Sequence, residues 1–172
     1  TGNAVDFGDL SVTRKDPNSG LVNSPTRGLV AGGAGLDSVI DVITMASKAN
    51  SSKFGDLSQA RKGLAGCSNS TRGVFACGEA HPSAVVNTLD RITIATHGDA
   101  VEFGDAISSR YIINGGVSNG TRGVWSGGAT ALNLIEYVNF TTLGDAMDFG
   151  DLALGRRGAS GCSNSHGGLG GY

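Results

Sequence analysis

No apolar run in this chain comes near the roughly 18 to 20 residues that a membrane-spanning helix requires, so helical membrane insertion is not expected. Charge of one sign is missing too. The formal net charge is −2, which offers no electrostatic basis for binding nucleic acid or an anionic lipid surface. Cysteine is limited to Cys67, Cys77 and Cys162, and an odd number cannot pair off into a complete disulfide framework within the chain. Proline is scarce (3 of 172 residues) while 39% of residues are apolar, which excludes a disordered linker. No stretch has the period of a long amphipathic helix. His-Glu-x-x-His and phosphate-loop patterns do not occur, and His81, His97 and His166 sit in unrelated contexts that make no metal set.

Glycine, by contrast, is abundant (29 residues), as short strands joined by tight turns require. It falls in a repeated phrase. Ser68-Asn69-Ser70-Thr71-Arg72-Gly73 is echoed by Asn23-Ser24-Pro25-Thr26-Arg27-Gly28, by Ser118-Asn119-Gly120-Thr121-Arg122-Gly123, and more faintly by Ser163-Asn164-Ser165-His166-Gly167-Gly168. A second marker, Phe-Gly-Asp, starts at Phe7, Phe54, Phe103 and Phe149, at spacings of 47, 49 and 46 residues. An arginine follows each copy: Arg14, Arg61, Arg110 and Arg156. Long fixed periods of this kind signal stacked or radial repeat architectures.

Between the markers lie β-branched, alternating segments around Val39–Met45, Leu89–Ile94 and Leu134–Phe140. One repeat is therefore expected to hold four strands: A over Gly63–Cys67, B over Arg72–Ala76, C over Val86–Ala95 and D over Val101–Ile107. The expected fold class is all-β, built of four-stranded antiparallel units. Residues 1–14 supply a lone strand D, 15–62, 63–110 and 111–157 supply full units, and 158–172 a terminal half unit. Cys67, Cys77, Cys162 and Trp125 are expected to be buried as hydrophobes. Asp9, Asp56, Asp105 and Asp151 are expected to pair with backbone N–H groups or with a repeat arginine. Arg27, Arg72 and Arg122 are expected to satisfy loop carbonyls. Phe54 and Phe149 are expected to fill the gaps between units.

The order of a Gly-rich strand, a strand ending in Gly32-Gly33 or Gly127-Gly128, Glu136-Tyr137 in the third strand and then Phe54-Gly55-Asp56-Leu57 with a closing Arg61 resembles the kelch repeat. That resemblance implies a β-propeller of four-stranded blades. The full phrase also resembles kelch-like tracts in structural proteins of tailed bacteriophages. It implies a fibre, spike or other appendage exposed on the virion, and contacts with other virion proteins or a host-cell receptor or glycan. It implies a homo-oligomer too, with a trimer the suspected state. The four Asn-x-Ser/Thr matches, at Asn50, Asn69, Asn119 and Asn139, are expected to carry no glycan in that setting.

No catalytic, cofactor-binding or metal-binding residues are expected. The preferred reading is a non-enzymatic structural or receptor-binding module that displays loops on a rigid scaffold. The alternative is a secreted or cell-surface propeller that binds carbohydrate or protein. An enzyme would need a non-repeating polar cluster. The one candidate interaction site is Glu79, Ala80, His81, Pro82, Ser83 and Ala84, where the second copy is four residues longer than its neighbours; insertions in repeat folds map to loops on one face. A closed ring would need a strand C just before residue 1, so further sequence is expected upstream of Thr1.

Overall fold

The computed structural model describes residues 2–14, 20–33, 35, 37–111, 113 and 115–161. Cys162 and the faint fourth phrase lie outside the described residues. All regular structure among these residues is β. The first sheet runs β1 (Gly20–Asn23), β2 (Arg27–Ala31), β3 (Val39–Thr44) and β4 (Ser52–Asp56) in chain order, each strand antiparallel to the next. The second sheet holds β5 (Arg61–Lys62), β6 (Ala65–Ser68), β7 (Arg72–Ala80), β8 (Ala84–Thr93) and β9 (Val101–Asp105). Both β5 and β6 pair with β7, β6 beside its first half and β5 beside its end. The third sheet repeats the first with β10 (Gly116–Ser118), β11 (Arg122–Ser126), β12 (Leu134–Asn139) and β13 (Met147–Asp151).

The repeated Asn-x-Thr-Arg phrase closes the hairpin between the first two strands. The Asn69 side-chain oxygen accepts bonds from the N–H groups of Thr71 (3.0 Å) and Arg72 (2.8 Å) and from the Thr71 hydroxyl (3.1 Å). Asn119 does the same with Thr121 and Arg122. In the first copy the Ser24 hydroxyl takes the amides of Thr26 and Arg27. This is side-chain mimicry of a backbone turn. At Asn69 and Asn119 the glycosylation-like spelling therefore has a conformational use.

Phe-Gly-Asp marks a β-bulge. In the first sheet the pairing passes from Ile40↔Gly55 to Asp41↔Lys53, so Phe54 is left without an opposite residue. The same step skips Phe103 beside Asp90 and Phe149 beside Glu136. An extra residue bends the strand and re-aims side chains. In two sheets it turns the ring into the gap toward the next sheet: Phe54 is 3% exposed and Phe103 4%.

The core sits in those gaps rather than inside any one sheet. Between the first and second sheets, Val22, Leu29, Ile40, Val42, Phe54 and Leu57 meet Leu64, Phe75, Ile92 and Ile94. Between the second and third, Cys67, Val74, Leu89, Phe103 and Ala106 meet Ile113, Trp125, Val138 and Phe140. Each of the larger aliphatic and phenylalanine side chains among them contributes about 1.5–3 kcal/mol when fully buried. Phe149 departs from the expectation that it fills a gap. It is 55% exposed, because no further sheet lies against it among the described residues.

Glycine allows the sheets to touch backbone to backbone. A Cβ on Gly55 would stand 2.1 Å from the Gly98 carbonyl oxygen of the following sheet. The Gly98 N–H donates to Phe54 O (3.0 Å) and the Ala100 N–H to Asp56 O (2.7 Å). On the inner side, a Cβ on Gly66 would lie 2.2 Å from Leu21 O, so β6 runs against β1 with no room for a side chain.

Candidate functional site

Three of the recurring arginines, Arg14, Arg61 and Arg110, are paired with buried acids of the repeat that follows. Arg61, in the short strand β5 that follows the Phe-Gly-Asp of the first sheet, pairs with Asp90 in β8 of the second sheet at 2.7 Å, both side chains fully buried. Its other terminal nitrogen donates to the Thr88 carbonyl (2.8 Å). Arg14 makes the same contact with Asp41 (2.8 Å) and the Val39 carbonyl (2.9 Å). Arg110 pairs with Glu136 and donates to the Gly127 carbonyl (2.9 Å). Each acid stands beside the bulge in the third strand of its sheet.

This corrects the pairing expected for the Phe-Gly-Asp acids. Among the described residues, none of the ion pairs to a recurring arginine involves them. Asp56 instead holds Lys53 of its own strand (2.7 Å) and accepts from the Ser38 hydroxyl (3.1 Å). What the motif offers its neighbour is its peptide group: the N–H groups of Asp9, Asp56 and Asp105 each donate, at 3.0 Å, to the side-chain oxygens of Asn50, Asp99 and Asp145.

Electrostatics separates the buried acids. Burial pushes the Asp41 carboxyl up, but hydrogen bonds from Ser11, Arg14 and Ser51 outweigh it and hold the group below its ordinary value. Glu136 goes the other way. Burial raises it, and the Arg110 charge with the Ile107 amide offsets only part of that. The thiols of Cys67 and Cys77 are buried and pushed up to about 12, so neither is a ready nucleophile.

Arg27 and Arg72 satisfy carbonyls of the next sheet as expected: Arg27 donates to Ile94 and Ala95 (2.9 and 3.0 Å), Arg72 to Phe140. Arg122 lies instead over the Tyr137 ring, 4.9 Å from its centre. Trp125 is buried. Gly116-Val117-Ser118-Asn119-Gly120 has the spacing of a hydrolase nucleophile turn, but it ends β10 and enters a hairpin rather than a helix. The Ser118 hydroxyl donates to the Ser68 carbonyl (2.7 Å). Among the described residues no three His, Cys, Asp or Glu side chains gather as a metal site.

The candidate segment 79–84 is not a loose loop. Glu79 and Ala80 extend β7, and Ala84 opens β8, with the pairs Gly78↔Val86, Glu79↔Val85 and Ala80↔Ala84. Only His81-Pro82-Ser83 forms the turn, with a cis peptide before Pro82. Gly32 and Gly127 hold the place equivalent to Cys77 at φ 70 and 74 and end their strands; Cys77 takes φ 59 and pairing resumes beyond it at Gly78. Eight residues separate Gly78 from Asn87, against four between Gly128 and Asn133, so the insertion shifts the whole stretch 79–86. β5 props its base through Arg61↔Ala80 and Lys62↔Glu79, with a Lys62–Glu79 ion pair at 3.5 Å. Ala80 is buried there, while His81, Pro82, Ser83 and Ala84 are exposed. The sequence pointed to this place but not to its stiffness.

No known protein-family model matches the chain, and no curated protein is significantly similar to it.

Proposed function

We propose that the chain is part of a kelch-like β-propeller that serves as a non-enzymatic structural or receptor-binding module of a phage virion, on a fibre, spike or other appendage. The observation that carries this reading is a division of labour among polar groups. Arg14, Arg61 and Arg110 and the acids Asp41, Asp90 and Glu136 are consumed in buried ion pairs. The non-recurring polar groups, His81 and Ser83 with Glu79 below them, stand on a braced hairpin that projects from the second sheet. A rigid projecting tip loses little conformational entropy on contact, which favours recognition of a protein or glycan surface. Its partners are then other virion proteins or a host-cell receptor or glycan, and its working place is the particle surface. Cryo-electron microscopy of purified particles tests this. The expected result is density for four-stranded sheets on an external appendage. Absence of the chain from the particle, with the protein recovered free in the medium or on a cell surface, would support a secreted or surface-bound propeller instead.

A further inference from the structure

The hairpin turns of the first and second sheets do not meet as those of the second and third do. Between the second and third, the Asn69 side-chain amide crosses to the Gly120 carbonyl at 3.1 Å and ties turn to turn. Ser24 holds the place of Asn69 in the first copy, and Ser70 holds that of Gly120 in the second. A serine carries no amide nitrogen, so the crossing cannot form there; the Ser24 hydroxyl accepts from the Thr26 and Arg27 amides of its own turn (3.4 and 3.2 Å). A notch of about 290 Å³ stands between the two turns instead, lined by Ser24, Pro25, Thr26, Arg27, Ser70 and Ala95. It lies at the opposite end of β7 and β8 from the projecting hairpin, since Ser70 precedes β7 and Ala95 follows β8.

The notch is cationic. Arg27 is fixed through Nη1, which donates to the Ile94 and Ala95 carbonyls. Those acceptors are neutral, unlike the acids that compensate Arg14, Arg61 and Arg110. Among the described residues Arg27 has no ion pair, its Nε and Nη2 make no hydrogen bond, and no acid lines the notch. A guanidinium already held in place offers its remaining donors at little entropic cost, and its planar fork matches two oxygens of a carboxylate or phosphate. Hydroxyls with donors to spare surround it. Ser70 is exposed, and its side chain makes no hydrogen bond among the described residues. Thr71 and Thr121 donate to the Asn oxygens of their turns (3.1 and 3.0 Å), whereas Thr26 has only the Ser24 hydroxyl at 3.5 Å. The exposed Pro25 and Ala95 add apolar surface beside them.

We propose that this notch binds an acidic sugar through its anionic group, a carboxylate or a phosphate monoester. The anion seats on the free edge of Arg27 and accepts from the Thr26 and Ser70 hydroxyls. The sugar ring occupies the rest of the notch, its carbons against Pro25 and Ala95. The site is separate from residues 79–84 and holds whatever that hairpin binds.

Titration of the protein at low ionic strength with glucuronate, glucose 6-phosphate and glucose, followed by amide chemical shifts, tests this. The Thr26, Arg27 and Ser70 amides are expected to move and saturate with one or both of the charged sugars, which tells carboxylate from phosphate, and to stay still with glucose. Added salt should weaken the response. Ser24→Asn restores the residue of the other two copies and closes the notch; Ser70→Asp places a like charge in its lining at an exposed position. Both should melt no lower than the wild type and lose at least tenfold in affinity. A protein with residues 79–86 exchanged for the shorter connection should bind as the wild type does. No saturable shift with either charged sugar overturns the proposal, as does an equal response to glucose or unchanged affinity in either folded variant. Saturation by O-phosphoserine but by neither charged sugar would assign the notch to a phosphopeptide and overturn it too.

Discussion

The Arg61 guanidinium reaches from β5, at the edge of the second sheet, to Asp90 in β8 of that sheet, 2.7 Å away with neither side chain exposed. The two residues are 29 positions apart in sequence and belong to different repeats. Arg14–Asp41 and Arg110–Glu136 repeat the contact at their own junctions. A charge taken out of water without its partner is strongly unfavourable, so each pair fixes the segment that follows one Phe-Gly-Asp against the third strand of the next repeat.

Breaking one partner should therefore unfold a junction rather than trim a surface. Asp90→Ala leaves Arg61 charged and buried, and is expected to cost about 3–5 kcal/mol. Replacing both, as Arg61→Met with Asp90→Leu, removes the unpaired charge and should cost clearly less than Asp90→Ala. Urea denaturation of the two variants beside the wild type measures this. Equal losses would place the stabilisation in packing instead of in the pair.

The two phenylalanines of one motif should behave differently. Phe54 is buried in the gap to the second sheet, and Phe54→Ala is expected to cost about 3–5 kcal/mol. Phe149 is half in solvent, so Phe149→Ala in the dilute protein should cost less than about 1 kcal/mol, as exposed positions do. Thermal melting at low concentration checks both. A large loss at Phe149 would mean that its face is covered in solution.

The buried acids give opposite pH dependences. Asp41 has a lowered carboxyl in the folded state, so the unfolded chain binds its proton first on acidification. Its contribution is full above the ordinary carboxylate value of about 3.9 and is lost as pH falls through the lowered folded value. Glu136 is raised, so its preference for the folded state is full below its ordinary value of about 4.3 and is lost as pH rises through the raised one. Urea midpoints measured across the acid range should fall less steeply with acid in Asp41→Asn. In Glu136→Gln they should lose the component that weakens with rising pH. Matching slopes in the two variants would contradict the assignment.

The regular part of this fold is legible in the sequence because strand alternation and turn chemistry are local. Strand C of the second copy, expected over Val86–Ala95, runs over Ala84–Thr93, and strand D ends at Asp105 where the Ala106 amide turns to the Asn87 carbonyl (2.7 Å). What escaped is non-local or conformational. A period of two does not reveal the extra residue at Phe54, Phe103 and Phe149. The recurring arginines were visible, but their acids lie 26 to 29 residues further on, beyond any local pattern. Strand B was expected to stop at Ala76. It continues to Ala80 because the connection is four residues longer than its counterpart, and the ladder resumes behind the left-handed Cys77.

The most direct test of the functional reading exchanges residues 79–86 for Ala-Thr-Ala-Leu, the sequence of Ala129–Leu132. The exchange keeps the frame: Val86 and Leu132 both accept from the arginine that follows their sheet, Arg110 and Arg156 (3.4 and 3.2 Å). Adsorption of particles carrying this chain to host cells is then measured beside the melting temperature of the isolated protein. If the braced hairpin is the contact surface, adsorption drops severalfold while particles still assemble and the sheets still fold. Unchanged adsorption by a folded, assembled variant would contradict that role.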